Sequence, residues 1–401
     1  MIRLAAVVLG SALMVACRGR APSAADTGLA ATVDSLVPKV EEAVGLKFRH
    51  RPRFAIRTKA EVQAYLRSKL EQEFPATKVR GIQAVYQLLE MIPDSVDLKS
   101  LLLPLYAEQV AGYYDPDSTT LYAVEGARED QLRLVLAHEL VHALQHEQLP
   151  LQTMLKDVTN ADRLAASQAI LEGHATVAML SVVMPDKTVL ADPTFWQSYR
   201  EQVKGAQTSM PIFRTAPIIL REGLIFPYLA GAEFMRWWAG QPGKGPLPTR
   251  EQLPTSTEQI LHPERYLSHD VPIGVAFDEP AAGVLHEDTM GELELQIWSA
   301  QMRQGGEVLS DIPNGWGGDR YRVFDAPKGP ALVLYTVWDD STAARRFATI
   351  TAARFVGHPK AGYRTTAEQL QIGGKSAVRV VRAPETWDRW ASLPLAHLTA
   401  P

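Results

Sequence analysis

Two histidines four residues apart, with a glutamate between them, form the segment His138-Glu139-Leu140-Val141-His142. Residues four apart on an α-helix differ by only about 40° in rotation and about 6 Å along the axis, so both imidazoles project from one face. Side chains placed in this way can bind one metal ion at about 2.1 Å. The adjacent glutamate is within reach of a water molecule at that ion and can accept its proton. The spacing therefore predicts a catalytic zinc site with Glu139 as the general base.

The helix that carries this motif is apolar nearly all round, which is typical of a buried helix. We predict that it extends from Glu129 to Gln148 and is ended by Pro150. Polar side chains inside a buried helix need partners, and a metal ion provides one for both histidines. In the alternative interpretation, the two histidines are hydrogen-bonded within an ordinary core.

A catalytic zinc ion needs a third protein ligand and an open position. His146 and Glu147 lie roughly 12 Å along the axis from His138, which is too far to share its ion. Glu172 lies in an apolar helix predicted from Asp162 to Val183, where a buried carboxylate also needs a partner. Glu172 is therefore the predicted third ligand.

Several segments, taken in their order along the chain, carry a resemblance to known families. They are Ala111-Gly-Tyr-Tyr-Asp-Pro116, His138-Glu-Leu-Val-His-Ala-Leu-Gln145, Leu171-Glu-Gly173, Ser256-Thr-Glu-Gln-Ile-Leu-His-Pro-Glu-Arg-Tyr266 and Trp316-Gly-Gly-Asp-Arg-Tyr321. The histidine motif, followed by a second helix with a glutamate and a small residue, resembles the gluzincins, the thermolysin-like zinc proteases. The whole set is similar to a family of secreted metalloproteases of bacteria and archaea. The resemblance implies a zincin-like fold and Zn²⁺ bound by His138, His142 and Glu172.

Further roles are implied by the same resemblance, because gluzincins often use a tyrosine or histidine to stabilise the developing oxyanion. His262 is the first candidate and Tyr228 the second; the alternatives are a loop-fixing hydrogen bond and a core position, respectively. His174 is predicted to point away from Glu172. The strand Thr119–Val124 is predicted to lie above the site and to pair with an extended substrate, with plain sheet packing as the alternative.

The rest of the chain predicts the elements that must position these side chains, and the predicted class is α+β. Further helices are predicted at Leu29–Val44, Lys59–Glu73, Val79–Met91, Phe195–Val203 and Pro217–Trp238, with a strand at Arg51–Thr58 and a hairpin at Ala111–Val124. Towards the C-terminus, strands at Tyr321–Phe324, Ala331–Val337 and Ala377–Val381 and a helix at Ser341–Val356 give the order β-β-α-β. We therefore predict a mainly helical, zincin-like domain with a small sheet at residues 30–300 and a C-terminal α+β module at residues 301–401.

The N-terminus has an apolar run from Leu4 to Ala16, which follows Arg3 and is too short to span a bilayer. It predicts a secretory signal over residues 1–17. The run ends at Cys17, the single cysteine of the chain, and resembles a bacterial lipobox. Acylated Cys17 would hold the protein at a membrane surface through a flexible tether at residues 18–29. The alternative is an ordinary cleaved signal.

Composition limits the function further. Of the 401 residues, 46% are hydrophobic and 21% are charged, which predicts a globular chain. The net charge of -4 gives no support for nucleic-acid binding.

The functional hypothesis is zinc-dependent hydrolysis of protein or peptide substrates at the bacterial cell envelope, on the periplasmic or outer-membrane side in a Gram-negative cell. Two alternatives stay open: a membrane-anchored binding or assembly factor on the same fold, and a zinc amidase acting on cell-wall peptides. The sequence does not indicate an oligomeric state.

Overall fold

The structure, a computed structural model, describes residues 24–149, 160–184, 186–280, 283–302 and 310–400. The helices are α1 (Ala24–Val44), α2 (Lys59–Glu73), α3 (Ala76–Leu88), α4 (Leu98–Ala107), α5 (Glu129–Gln148), α6 (Ala161–Val183), α7 (Lys187–Ala191), α8 (Pro193–Thr208), α9 (Pro211–Thr215), α10 (Ile218–Ala239), α11 (Thr257–Leu261), α12 (Pro263–Leu267), α13 (Gly291–Met302) and α14 (Ser341–Gly357). The strands are β1 (Arg53–Arg57), β2 (Gly112–Asp115), β3 (Thr120–Val124), β4 (Gly274–Phe277), β5 (Val284–Asp288), β6 (Trp316–Phe324), β7 (Ala331–Trp338), β8 (Tyr363–Ile372), β9 (Lys375–Pro384) and β10 (Ala396–Thr399). The mainly helical content with small sheets confirms the predicted α+β class.

A three-stranded sheet precedes α5, with the strand order β1-β3-β2. β1 runs parallel to β3, and β2 runs antiparallel to it. The prediction that the strand Thr119–Val124 pairs with substrate is therefore wrong, because both edges of β3 already have partners. In the described part of the chain, β2 is the strand beside α5 whose second edge has no partner. Position 112 of β2 requires glycine where the strand passes α5. A Cβ atom at this position would lie 2.9 Å from a side-chain carbon of Val135 on α5.

Helices α5, α6 and α10 form the centre of the helical region. The side of α5 away from the metal-binding residues packs against α1 in one apolar cluster, with Leu136, Leu140 and Leu144 fully buried. α6 and α10 cross at a contact between their backbones. A Cβ atom on Gly173 of α6 would lie 2.1 Å from the carbonyl carbon of Gly231 on α10, so glycine is what permits this approach. The crossing brings the segment of α10 just before Gly231 alongside the middle of α6.

The C-terminal region contains a five-stranded antiparallel sheet with the order β5-β6-β7-β9-β8 and a two-stranded sheet of β4 and β10. The predicted order β-β-α-β lacks β8, which lies between α14 and β9. Both β4 and β5 precede residue 300, so these sheets take strands from both sides of the predicted boundary. Every residue of β7 is buried, and so are the apolar residues of β9, which is typical of central strands.

The N-terminal predictions are only partly covered by the described residues. Helix α1 begins at Ala24, inside the predicted flexible tether at residues 18–29. Cys17 and the predicted signal at residues 1–17 lie outside the described residues, so the lipid anchor stays a prediction. In the part of the chain that the structure describes, no helix combines the length and apolar character needed to cross a bilayer.

Candidate metal centre

Three predicted ligands from two helices meet at one point. His138 Nε2 lies 3.0 Å from Glu172 Oε2, His142 Nε2 lies 3.3 Å from the same oxygen, and the two Nε2 atoms are 3.1 Å apart. The first two side chains project from α5 and the third from α6. Among the described residues, these three form a group whose ligand atoms all lie within 4.8 Å of one another.

These separations fit a tetrahedral zinc site. Ligand atoms about 2.0–2.1 Å from a tetrahedral ion stand roughly 3.3 Å from each other. The observed edges of 3.0–3.3 Å agree with that value. Two imidazole nitrogens and one carboxylate oxygen are also the donor set of catalytic zinc sites, which keep a fourth position open. The side chains of His138, His142 and Glu172 are thus suited to hold one divalent ion.

The charges of this group are strongly coupled in the absence of an ion. Burial disfavours the charged form of His142, but the carboxylate of Glu172 outweighs that effect and raises the pKa of His142 to about 9. Burial would likewise raise the pKa of Glu172, but His142 and the hydrogen bonds from both histidines lower it to about 2. Glu172 is therefore ionised across the physiological range, as a metal-binding carboxylate must be.

Glu139 lies beside the three ligands and is held by the neighbouring sheet. Its Oε2 atom accepts a hydrogen bond of 2.8 Å from the backbone N–H of Tyr114 on β2. Burial raises the pKa of Glu139 above its ordinary value, while the two histidines and this hydrogen bond act in the opposite direction. A carboxylate with a raised pKa at neutral pH is a better proton acceptor than an ordinary one.

The metal-binding residues and Glu139 open into a cavity of about 390 Å³. Apart from these four residues, the described residues that line it are uncharged. The apolar ones are Val110, Ala111, Leu134, Val135, Leu171, Met179, Val203, Met210 and Leu224, and the tyrosines are Tyr106, Tyr113, Tyr114, Tyr199 and Tyr228. Strand β2 forms one side of the cavity and helices α8 and α10 contribute to another.

The two candidates for the oxyanion donor have different positions. Tyr228 on α10 lines the cavity, its ring lies 5.8 Å from the ring of His138, and its hydroxyl group is hydrogen-bonded to Glu172. His262 is not among the described residues of the cavity. Its Nε2 atom lies 3.1 Å from Glu292 at the start of α13, which agrees with the structural alternative for this histidine.

Sequence reasoning missed the role of Gln145 and predicted of His174 only that it points away from Glu172. His174 is buried and contacts Gln145, which in turn contacts His142. Gln145 is a polar residue on the buried side of an apolar helix, which is the same signal that identified Glu172. His146, which was excluded as a ligand, contacts the hydroxyl group of Tyr114 at 2.8 Å.

One comparison with known proteins concerns the C-terminal region of the chain. A family model described as "Domain of unknown function (DUF8575)" matches residues 280–389, which include all five strands of the five-stranded sheet and none of the metal ligands. No curated protein matches this chain. A solved structure titled "Crystal structure of a putative hydrolase with a novel fold from Chloroflexus aurantiacus" is similar at 20% identity, covering 60% of this chain and 88% of that chain. Its TM-score is 0.32, and a likeness at that level carries no argument about fold or function.

Proposed function

We propose that this protein is a zinc-dependent peptidase of the gluzincin type, with His138, His142 and Glu172 as metal ligands. The observation that carries the proposal is the position of Glu139 in the same cavity as the three ligands. A structural metal site has closed coordination and needs no proton acceptor beside it. Here a buried carboxylate is oriented by a backbone N–H of β2 and faces an open space.

The side chains have distinct tasks in this proposal. A bound zinc ion supplies Lewis-acid polarisation of the substrate carbonyl group and lowers the pKa of water to about 7. Glu139 accepts the proton of the attacking water on its carboxylate and passes it to the amine that leaves when the peptide bond breaks. The hydroxyl group of Tyr228 would release Glu172 and donate its hydrogen bond to the oxyanion that develops on the carbonyl oxygen.

The cavity also suggests how a substrate would be held. Among the described residues, strand β2 has a pairing partner, β3, on one side only, so its other edge can bind an extended peptide through backbone hydrogen bonds. The surrounding side chains are uncharged and largely apolar among the described residues. A peptide in this place would therefore present apolar side chains next to the bond that is cleaved.

Substitution of Glu139 by glutamine tests the proposal. The glutamine side chain keeps an oxygen that can accept the Tyr114 N–H, but it cannot take up a proton at neutral pH. We expect Glu139→Gln to bind about one zinc ion per chain and to lose at least about 100-fold in the rate of cleavage of an unstructured protein such as casein. Mass spectrometry of the wild-type products would show whether apolar residues flank the cleaved bonds.

The chain offers a matched control in Glu147, which lies on the same helix. Its Oε2 atom accepts a hydrogen bond of 2.8 Å from the backbone N–H of Arg49, which is the same type of bond that Glu139 accepts from Tyr114. Glu147→Gln should retain wild-type cleavage. Equal cleavage by Glu139→Gln and wild type would refute the role of the general base. A purified protein that binds zinc and cleaves peptidoglycan fragments but no protein would favour the amidase alternative.

A further inference from the structure

A glutamine one turn after the second histidine connects the two helices that carry the metal ligands. Gln145 is on α5, and only 1% of it is exposed to solvent. Its Oε1 atom lies 2.9 Å from Nδ1 of His142. Its Nε2 atom donates a hydrogen bond of 3.0 Å to the carbonyl oxygen of Leu171 on α6 and lies 3.0 Å from Nδ1 of His174 on the same helix. The side-chain amide therefore has a partner for each of its hydrogen-bonding atoms.

The carbonyl oxygen of Leu171 determines the orientation of this amide. A backbone carbonyl only accepts hydrogen bonds, so the NH₂ group of Gln145 must face Leu171. The amide oxygen must then face Nδ1 of His142, and that nitrogen must carry a proton. The lone pair of a neutral His142 is consequently on Nε2, the atom that points at Glu172 and His138. This is the tautomer that can bind a metal ion through Nε2.

His174 completes the arrangement from the other helix. The NH₂ group has two hydrogens, and Leu171 accepts only one of them. Nδ1 of His174 accepts the second, so no N–H of this buried amide is left without a partner. An unpaired buried donor would cost free energy and would favour another rotamer of the glutamine. His174 thus holds Gln145 in the position that His142 requires.

We propose that Gln145, held by the Leu171 carbonyl group and by His174, is the positioning residue that fixes the tautomer and the ring orientation of His142 for metal binding. This inference rests on the proposed metal site. Partners of metal ligands that act in this way typically change metal affinity by about 10- to 100-fold when they are removed. Gln145 and His174 contribute to affinity and do not themselves contact the ion.

The test compares zinc dissociation constants of purified full-length variants by competition with a chromophoric chelator. Gln145→Met keeps the length of the side chain and removes both hydrogen-bonding groups, so we expect zinc to bind about 10- to 100-fold more weakly. The visible spectrum of the Co²⁺-substituted protein should change as well, because the ring of His142 is no longer fixed. Gln148→Met is the control: Gln148 is on the same helix and donates to the carbonyl oxygen of Lys47 instead, so its loss should leave zinc affinity unchanged.

Two further variants separate positioning from packing. Gln145→Glu restores an acceptor for the Nδ1–H of His142 and should bind zinc more tightly than Gln145→Met. His174→Leu removes the acceptor for one N–H of Gln145 and should weaken zinc binding several-fold. If Gln145→Met does not fold, the zinc affinity of His174→Leu tests the inference in its place. Wild-type affinity in Gln145→Met or His174→Leu, or equal affinity in Gln145→Glu and Gln145→Met, would overturn the inference. A wild-type protein that binds no zinc would instead refute the proposed function.

Discussion

The backbone contact between α6 and α10 makes Gly173 the residue whose substitution should disturb the site most directly. In Gly173→Ala, the new Cβ atom would lie 2.1 Å from the carbonyl carbon and 2.2 Å from the carbonyl oxygen of Gly231. Contacts of real Cβ atoms essentially never fall below 3.0 Å. Because the opposing atoms belong to the backbone, no change of rotamer can relieve the overlap, and the helices must separate by roughly 1 Å.

Two effects of opposite sign determine the change in stability. Alanine is favoured over glycine inside a helix by about 1 kcal/mol. Overpacking of a well-packed core costs about 1–3 kcal/mol, and an overlap with backbone belongs at or above the upper end of that range. The overlap therefore dominates, and we expect Gly173→Ala to lower the free energy of unfolding by about 2 kcal/mol or more.

The displacement should also reduce activity, because Glu172 precedes Gly173 on α6 and Tyr228 is three residues before Gly231 on α10. A shift of about 1 Å between these side chains is enough to lower catalysis by about 100-fold. Urea unfolding followed by circular dichroism measures the first effect, and the rate of casein cleavage at saturating zinc measures the second.

Gly205 on α8 provides the control, since it is exposed and a Cβ atom there would meet nothing within 4 Å. Gly205→Ala should be neutral or stabilise the protein by up to about 1 kcal/mol through helix propensity alone. If Gly173→Ala were as stable and as active as Gly205→Ala, the close crossing of α6 and α10 would not exist in solution, and the placement of Tyr228 beside Glu172 would lose its basis.

Two other predictions concern the site itself. At saturating zinc, Tyr228→Phe should lower kcat by about 100-fold while KM changes little, as measured by steady-state kinetics; an unchanged kcat would contradict the role of oxyanion donor. Zinc affinity should rise about tenfold per pH unit between about pH 7 and pH 9 and then level off, because zinc must displace the proton of His142, whose pKa is raised to about 9. An affinity that is independent of pH over this range would show that His142 is already neutral in the zinc-free protein.

The two helices that carry the ligands were predictable from sequence because their signals are local. The predicted bounds of α5 agree with the structure at both ends, and those of α6 differ by one residue. The chain leaves helical geometry at Leu149, where the extended conformation is the one that a following proline favours. Within such apolar helices, a few polar side chains without local partners indicate a shared site, which is how Glu172 was found.

The remaining features depend on contacts between distant parts of the chain. β1 pairs with β3 rather than with a sequence neighbour, and this parallel pairing places β3 in the centre of the described sheet and β2 at one edge. His262 was the first candidate for the oxyanion donor, with a loop-fixing hydrogen bond as the alternative, and it contacts Glu292 on α13; no periodicity in the sequence shows that contact. The approach of Tyr228 to Glu172 follows from Gly173 and Gly231, whose need for glycine is visible only once the helices are packed.

The charge of the site has a consequence for how metal binding relates to folding. Glu172 is almost completely buried, and an isolated buried carboxylate would be strongly destabilising. In the zinc-free protein, the proton on His142 supplies the opposite charge. Because the pKa of His142 is raised from 6.5 to about 9, this contribution to stability is complete below about pH 6.5 and is lost as the pH rises through about 9. A divalent ion that displaces this proton replaces one positive partner of Glu172 with another. Zinc binding near neutral pH should therefore release about one proton and add one net positive charge to the site.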